Sequence, residues 1–243
     1  MKRQMNILIA NDDGIRSPGI ARLADMAACF GDVWVVAPEG QCSGMSQKLT
    51  IFNELNAMKH EFQAEVKGAY GVSGTPADCV KVALKSLLPV KPDIVFSGIN
   101  NGFNAGYDIA YSGTVGAAME AVLHGIPAIA FSECHDGLRE VTDKYMRDIA
   151  EELMEKPLSG EIWNVNFPGC RTEELKGIKR DVEPAPSFFF ENNYEKTENG
   201  EGYVLKPFAR LLGPDEAPEG SDVWAVLNGY IAVSRIKNML YRQ

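Results

Sequence analysis

The sequence predicts an α/β fold with a doubly wound, mostly parallel sheet, followed by a C-terminal β-rich extension that contains a hairpin. Two observations predict the sheet: apolar runs alternate with segments of helical periodicity, and turn signals separate them. A third observation places the boundary, because proline, aromatic and Asn/Gly-rich stretches replace this alternation after about Arg180. We therefore expect a core at residues 1–180 and an extension at residues 181–243.

The elements can be placed in order from their residue patterns. A serine or threonine before a proline is typical of an N-cap followed by the first helical residue, so helices should begin at Pro18 and Pro76. Gly125 is expected just past the end of a third helix. The strands are predicted at residues 5–10, 33–37, 93–97, 126–131 and 162–167, the later helices at about 114–123 and 141–153, and the extension's helix and strand at 222–227 and 230–236.

Composition disfavours several classes of function. The 243 residues carry 24 basic and 33 acidic side chains, and this net charge of -9 disfavours binding to polymeric nucleic acid or to an anionic membrane. Apolar runs fall short of the ~18 residues that span a bilayer, and the first is interrupted too early for a signal peptide. Five scattered cysteines without a C-x-x-C pair favour reduced thiols in the cytoplasm over a zinc site or disulfide framework.

Asp12 and Asp13 follow the first predicted strand directly, at the end where open α/β sheets bind their ligands. Adjacent carboxylates repel each other, and a bound divalent cation would remove that conflict. Oxygen ligands suit a hard metal such as Mg²⁺ or Mn²⁺. The alternative is a solvated acidic turn that also caps the next helix.

Polar, Gly-rich loops follow three early strands, at residues 11–14, 38–46 and 97–104. Loops after parallel strands open on one sheet edge, so these three can converge. They offer carboxylate, hydroxyl and amide oxygens but no histidine, which indicates Mg²⁺, Mn²⁺ or Ca²⁺ rather than structural zinc. For each residue a structural alternative remains: Ser43 would be a turn residue, and Asn100 a residue in the left-handed backbone region.

The segment Tyr111-Ser112-Gly113-Thr114 precedes a predicted helix, and backbone N–H groups at a helix start bind anions. An anion site beside a hard cation is what phosphate-ester chemistry requires, with Asp12 or Asp13 as a candidate general base. The alternative is that Ser112 or Thr114 is only an N-cap. The three histidines are weak catalytic candidates, and we expect His60 and His135 at the surface.

Several motifs in one order resemble the SurE family, stationary-phase survival proteins that are metal-dependent 5'/3'-nucleotidases. The resemblance runs from residue 5 to about residue 168. The motifs are Asn11-Asp12-Asp13-Gly14-Ile15, Ser43-Gly44, Gly74-Thr75-Pro76-Ala77-Asp78-Cys79-Val80, Ser97-Gly98-Ile99-Asn100, Ser112-Gly113-Thr114-Val115-Gly116-Ala117-Ala118 and Asn164-Val165-Asn166-Phe167-Pro168.

This resemblance implies hydrolysis of nucleoside 5'- and 3'-monophosphates to nucleoside and phosphate, with short polyphosphate as a further substrate. It implies a Rossmann-like core and an arm at residues 181–243 that is exchanged within a homodimer or homotetramer. One divalent metal ion (Mn, Mg or Ca) is implied. Its implied ligands are Asp12, Asp13, Ser43 and Asn100; the predicted catalytic residues are Asp12, Asp13, Asn100 and Ser112; the predicted ligand-binding residues are Asn104, Ser112, Gly113 and Thr114.

The sequence departs from the family pattern at two places. Cys42 stands where an arginine often precedes the ligand serine, and Ser234-Arg235 replaces a Thr-Pro pair in the closing strand. Two other functions are alternatives to the nucleotidase. A phospho-receiver domain would need an acceptor aspartate after a central strand and a late lysine, and neither is present at those positions. A nucleotide-binding protein without turnover stays open at this point, because a site does not prove catalysis.

Overall fold

The computed structural model describes residues 4–240, and these residues form a nine-stranded mixed sheet, a separate two-stranded hairpin and five α-helices. The strands are β1 (Met5–Ala10), β2 (Gly31–Pro38), β3 (Ala57–Lys59), β4 (Gly68–Val72), β5 (Ile94–Asn101), β6 (Ala128–Glu133), β7 (Glu161–Phe167), β8 (Gly177–Arg180), β9 (Phe190–Asn199), β10 (Gly202–Leu211) and β11 (Tyr230–Lys237). The helices are α1 (Pro18–Ala27), α2 (Pro76–Val82), α3 (Gly113–Leu123), α4 (Glu140–Met154) and α5 (Asp222–Leu227).

The large sheet has the order β3-β4-β2-β1-β5-β6-β7-β11-β8, with β1 near its centre. Strand β1 runs parallel to β2 on one side and to β5 on the other. The strands from β4 through β7 are all parallel, whereas β3 and β11 are antiparallel to their neighbours β4 and β7. The prediction of a mostly parallel α/β sheet is therefore confirmed.

Helices cover both faces of the sheet, as a doubly wound fold requires. Alternate residues of β1 point to opposite faces, so Ile7 packs in one buried cluster and Leu8 in the other. The first cluster includes Leu23 of α1 and Ile149 of α4, and the second includes Val115 of α3. Because the strands are buried on both sides, they appear in the sequence as continuous apolar runs.

Both predicted helix starts are present, although their caps differ. Thr75 forms a capping box at the start of α2: its hydroxyl accepts a hydrogen bond from the backbone N–H of Asp78, whose carboxylate accepts one from the N–H of Thr75. Ser17 also occupies the N-cap position of α1, but its hydroxyl accepts a hydrogen bond from the Asn11 side chain at 2.8 Å. Ser17 therefore holds in place the loop that carries Asp12 and Asp13.

Three strands of the sheet were not predicted, namely β3, β4 and β8. Strand β5 also continues four residues beyond the predicted end, through a register shift between Ser97 and Asn100. The strand predicted at 230–236 is present as β11, but it pairs with β7 and completes the large sheet. The oligomerisation arm stays a prediction, and the part of residues 181–240 outside the large sheet consists of the β9–β10 hairpin, α5 and their connections.

Helix α5 holds the base of this hairpin against the core. The buried Asp222 carboxylate accepts hydrogen bonds from the backbone N–H groups of Ala185 and Gly106, at 2.8 and 3.0 Å. Nearby, the backbone N–H of Phe190 donates to Asp108 at 2.7 Å. These contacts fix the first residues of β9 next to the loop that follows β5.

Candidate functional site

The loops after β1, β2 and β5 converge at one edge of the sheet, where they line a cavity of about 650 Å³. This volume lies in the range of roughly 300–1,000 Å³ that is typical of small-molecule sites. Six of the eight predicted site residues are on the cavity wall: Asp12, Asp13, Ser43, Asn100, Asn104 and Ser112. The predicted convergence of three distant loops is therefore present in the structure.

The carboxylate of Asp12 is held rigidly at the start of α3. Its side chain is buried, with 4% of the residue exposed, and it accepts hydrogen bonds from the Thr114 hydroxyl at 2.6 Å and the Thr114 N–H at 3.1 Å. Burial raises the pKa of Asp12 to about 6, although the Thr114 hydroxyl acts in the opposite direction. The site thus holds a carboxylate that is costly to ionise without a nearby positive charge.

Gly113 and Thr114 lie behind Asp12 and do not line the cavity. A Cβ atom at Gly113 would come within 2.8 Å of the Asp12 Cβ and 3.0 Å of Pro76, so only glycine fits there without a shift. The helix start binds the Asp12 carboxylate in this structure, which the helix dipole favours as it would favour a substrate anion, and the role of Gly113 and Thr114 in ligand binding stays a prediction. Ser112 does line the cavity, and its hydroxyl also caps α3 by accepting from the N–H of Val115 at 3.0 Å.

Asp13 is more open than Asp12 and points to the β5 loop. Its carboxylate accepts a hydrogen bond from the backbone N–H of Asn101 at 3.1 Å. Partial burial raises its pKa, whereas this hydrogen bond and the charges of His135 and Arg139 lower it. Asp13 therefore contacts the end of β5, which also carries Asn100.

The remaining oxygen donors come from the loop after β2, from the end of β5 and from the loop after β5. The N–H of Cys42 donates to the backbone oxygen of Asp12 at 2.7 Å, which holds exposed Ser43 beside the aspartates. The Asn100 side chain donates to the backbone oxygen of Gly102 at 2.8 Å. Asn104 lines the cavity, but its side chain also donates to Ser132 at 2.8 Å, so it forms part of the wall's internal hydrogen bonding.

The donor set fits a hard divalent cation. Asp12, Asp13, Ser43 and Asn100 supply two carboxylates, a hydroxyl and an amide oxygen at one cavity wall, and oxygen donors of this kind suit Mg²⁺, Mn²⁺ or Ca²⁺. Within residues 4–240 no group of three His, Cys, Asp or Glu side chains is placed to hold a metal.

Comparison with known proteins identifies the family of the chain. A model of the family described as survival protein SurE matches residues 7–183, which is well over half of the chain. The chain belongs to the SurE family. The predicted resemblance is confirmed.

Relatives and a solved structure of the SurE family agree over nearly the whole chain. A protein of Flavobacterium psychrophilum named 5'-nucleotidase SurE is 38% identical over 93% of this chain and 89% of its own length. One of Clostridium botulinum with the same name is 37% identical over 95% of this chain and 92% of its own length. The crystal structure of SurE protein from Aquifex aeolicus superposes with a TM-score of 0.83 at 38% identity, covering 98% of this chain and 95% of that one.

The SurE-family site also contains residues that the sequence did not single out. The polar ones are Gln41 and Asn101. His135, which was expected at the surface, is both exposed and on the cavity wall. The aromatic and apolar part of the wall comes from the loop after β5, a 3₁₀ turn at Tyr107–Tyr111 and the base of the β9–β10 hairpin. The residues of this aromatic wall are Phe103, Tyr111, Phe189, Phe190 and Leu211.

A buried ion cluster contacts the end of β5. Glu133, with 3% of its side chain exposed, accepts a hydrogen bond from Arg22 at 2.7 Å and forms an ion pair with Arg139 at 2.5 Å. Arg139 also donates to the Asn101 side chain at 3.1 Å, and the N–H of Asn101 binds Asp13. The cluster therefore connects α1 and the start of α4 to the end of β5 that contacts Asp13.

Proposed function

We propose that this SurE-family chain is a metal-dependent 5'-nucleotidase that hydrolyses nucleoside monophosphates to nucleoside and phosphate. The observation that carries the proposal is the convergence of Asp12, Asp13, Ser43 and Asn100 on one cavity wall, from the loops after β1 and β2 and from the end of β5. The relatives named 5'-nucleotidase SurE, at 37–38% identity, support the same activity. Nucleoside 3'-monophosphates and short polyphosphate are proposed as further substrates.

In this mechanism the four donors would hold one divalent ion, Mn²⁺, Mg²⁺ or Ca²⁺. When bound, the ion would polarise a phosphoryl oxygen and lower the pKa of a water molecule. Thr114 orients Asp12 through two hydrogen bonds, and Asn101 orients Asp13 through one, so both carboxylates are placed before the substrate arrives. We assign Ser112 to the phosphoryl oxygens, because it lies on the cavity wall next to Asp12.

Phosphate release from AMP tests the proposal directly. We expect EDTA to abolish release and added Mn²⁺ or Mg²⁺ to restore it. Asp13→Asn should lower kcat/KM by about 100-fold or more, because it removes a charged donor from the site. Asp25→Asn, at an exposed position on α1, is the matched control and should keep full activity. Phosphate release that continues under chelation, or AMP binding without any release, would refute the proposal.

We further propose that the protein acts as a homodimer or homotetramer in the cytoplasm. Support for the oligomer comes from the β9–β10 hairpin, whose apolar side chains stay 49–60% exposed in the single chain; these residues are Tyr194, Tyr203, Val204, Leu205 and Phe208. Exposed apolar patches of this kind mark interaction surfaces.

The cytoplasmic location rests on five cysteines that are all free thiols. Among the described residues, moreover, none of the helices has the length and apolar character that crossing a membrane demands.

A further inference from the structure

The segment at residues 42–50 carries the predicted ligand Ser43, but it forms neither a helix nor a strand. Its first residue is fixed, because the N–H of Cys42 donates to the backbone oxygen of Asp12 at 2.7 Å. Ser43 itself is exposed. The position of its hydroxyl therefore depends on how firmly the rest of the segment is held.

The far end of this segment is bound to the start of α2 by a buried acid. Asp78 is 2% exposed, and its carboxylate accepts hydrogen bonds from the Thr50 N–H at 2.9 Å and the Thr50 hydroxyl at 2.7 Å. The Thr75 hydroxyl donates to the backbone oxygen of Lys48. A capping box needs only the two bonds between Thr75 and Asp78, so the contacts with the segment are additional to it.

The middle of the segment is bound to α3 by a second buried acid. Glu120 is 3% exposed, and its carboxylate accepts a hydrogen bond from the Gln47 side chain at 2.8 Å. The N–H of Ser46 donates to the backbone oxygen of Tyr111 at 2.9 Å. A Cβ atom at Gly116 would come within 2.2 Å of the Ser46 backbone oxygen, so the segment lies directly against α3.

We propose that Asp78 and Glu120 are positioning residues for the metal site. They hold residues 46–50 on α2 and α3, and this attachment places the Ser43 hydroxyl beside Asp12 before an ion binds. A buried carboxylate is costly unless it is hydrogen-bonded, and both acids direct hydrogen bonds to this one segment. The inference rests on the proposed metal-dependent function and adds the residues that orient one of its ligands.

The first test measures Mn²⁺ affinity by calorimetry, without substrate. Gln47→Leu removes the bond to Glu120, which keeps the His124 ring at 3.2 Å as a partner, so the chain should still fold. We expect this variant to bind Mn²⁺ about 10-fold more weakly. Gln47→Glu combined with Glu120→Gln exchanges the two groups, restores the bond and should return the wild-type affinity. Gln63→Leu, at an exposed position between β3 and β4, is the matched control and should bind as the wild type does.

A double-mutant cycle with Ser43→Ala separates positioning from a general effect on structure. If the attachment acts through Ser43, adding Gln47→Leu to Ser43→Ala should weaken Mn²⁺ binding no further. Losses of affinity that add in full would overturn the positioning role and leave the metal site itself standing. A wild type that binds no Mn²⁺ would instead refute the metal-dependent function on which this role rests.

Amide hydrogen exchange tests the attachment with no metal present. We expect Gln47→Leu and Thr50→Val each to speed exchange across residues 42–50 by about 10-fold, because each removes one hydrogen bond that holds the segment. Exchange in α1 should stay as in the wild type. Equal exchange of residues 42–50 in the wild type and both variants would overturn the positioning role, whether or not Mn²⁺ binds.

Discussion

The sheet-edge loops and the β9–β10 hairpin line the same cavity, but they are stabilised in opposite ways. The loops and the strand ends beside them place polar groups in a buried setting, so Asp12 and Glu133 are each held by two hydrogen bonds or ion pairs from other elements. The hairpin places apolar groups in an exposed setting. Its two strands pair with each other from Phe190 and Leu211 at the base to Asn199 and Gly202 at the tip, and they contact few other helices or strands. The core therefore tolerates few changes at these positions, whereas the hairpin should tolerate many in the single chain.

The largest expected effect comes from removing the buried acid of the ion cluster. Glu133→Ala leaves Arg22 and Arg139 without their shared partner, and we expect a loss of about 3 kcal/mol in the free energy of unfolding. Denaturant unfolding at pH 7 measures it. The matched control is Glu191→Ala, because Glu191 is 53% exposed on the hairpin and pairs with Arg210 at 3.7 Å. A similar loss in both variants would contradict the contrast between the two regions.

The positions at which the strands end and the site residues begin can be predicted well from the sequence. Buried parallel strands produce continuous apolar runs, and these runs stop where the loops begin. Asp12 and Asp13 directly follow such a run, and Ser43 and Asn100 lie in the loops after two others. Parallel strands bring their C-terminal ends to one edge of the sheet. The convergence of these four residues can therefore be predicted without knowing the register of the strands.

The elements that the sequence missed lack this signal. Strand β4 has two glycines in five residues, and glycine is depleted in strands because it packs poorly and loses more entropy. The end of β5 contains Gly98, Asn100 and Asn101, which are turn-forming residue types, and only pairing with β6 makes them a strand. The contact of Glu133 with Arg22 spans 111 residues and has no local pattern that could predict it.

The second largest effect should come from filling the space behind Asp12. Gly113→Ala places a methyl group 2.8 Å from the Asp12 Cβ, so either the carboxylate or α3 must move. We expect about 1–3 kcal/mol of destabilisation, as is usual for overpacking, and a clear loss of phosphate release from AMP. Thermal unfolding and kcat/KM are the measurements. Gly40→Ala, with no atom within 4 Å of the added Cβ, should leave both unchanged, and equal effects in the two variants would argue against the Asp12 contact.

A smaller effect is expected from the Glu152–Arg180 pair, which joins α4 to β8. Hydrogen bonds from Arg180 and then from Lys156 lower the pKa of Glu152 from 4.5 to about 2. Because the folded pKa is depressed, the stabilisation is fully present above about pH 4.5 and is lost as the pH falls towards about 2. The pair is partly exposed, so solvent screening limits it to about 0.5–1 kcal/mol.

The measurement for this pair is the difference in unfolding free energy between the wild type and Glu152→Gln. This difference should be largest at about pH 6 and should shrink as the pH falls to about 3. If the difference in unfolding free energy instead grows as the pH falls, the predicted direction of the pH dependence is wrong.

The smallest effect on the single chain should come from the exposed hairpin. Leu205→Glu and Phe208→Glu change residues that are 56% and 49% exposed, so each should alter the stability of the isolated chain by less than about 0.5 kcal/mol. If the hairpin joins subunits, the same changes should lower the mass measured by sedimentation and remove the dependence of the unfolding midpoint on protein concentration. Lys206→Ala, between the two positions, is the matched control and should keep the wild-type mass. A wild-type mass for Leu205→Glu would exclude this surface from the interface, and a large loss of stability in a monomeric variant would show that the hairpin belongs to the core after all.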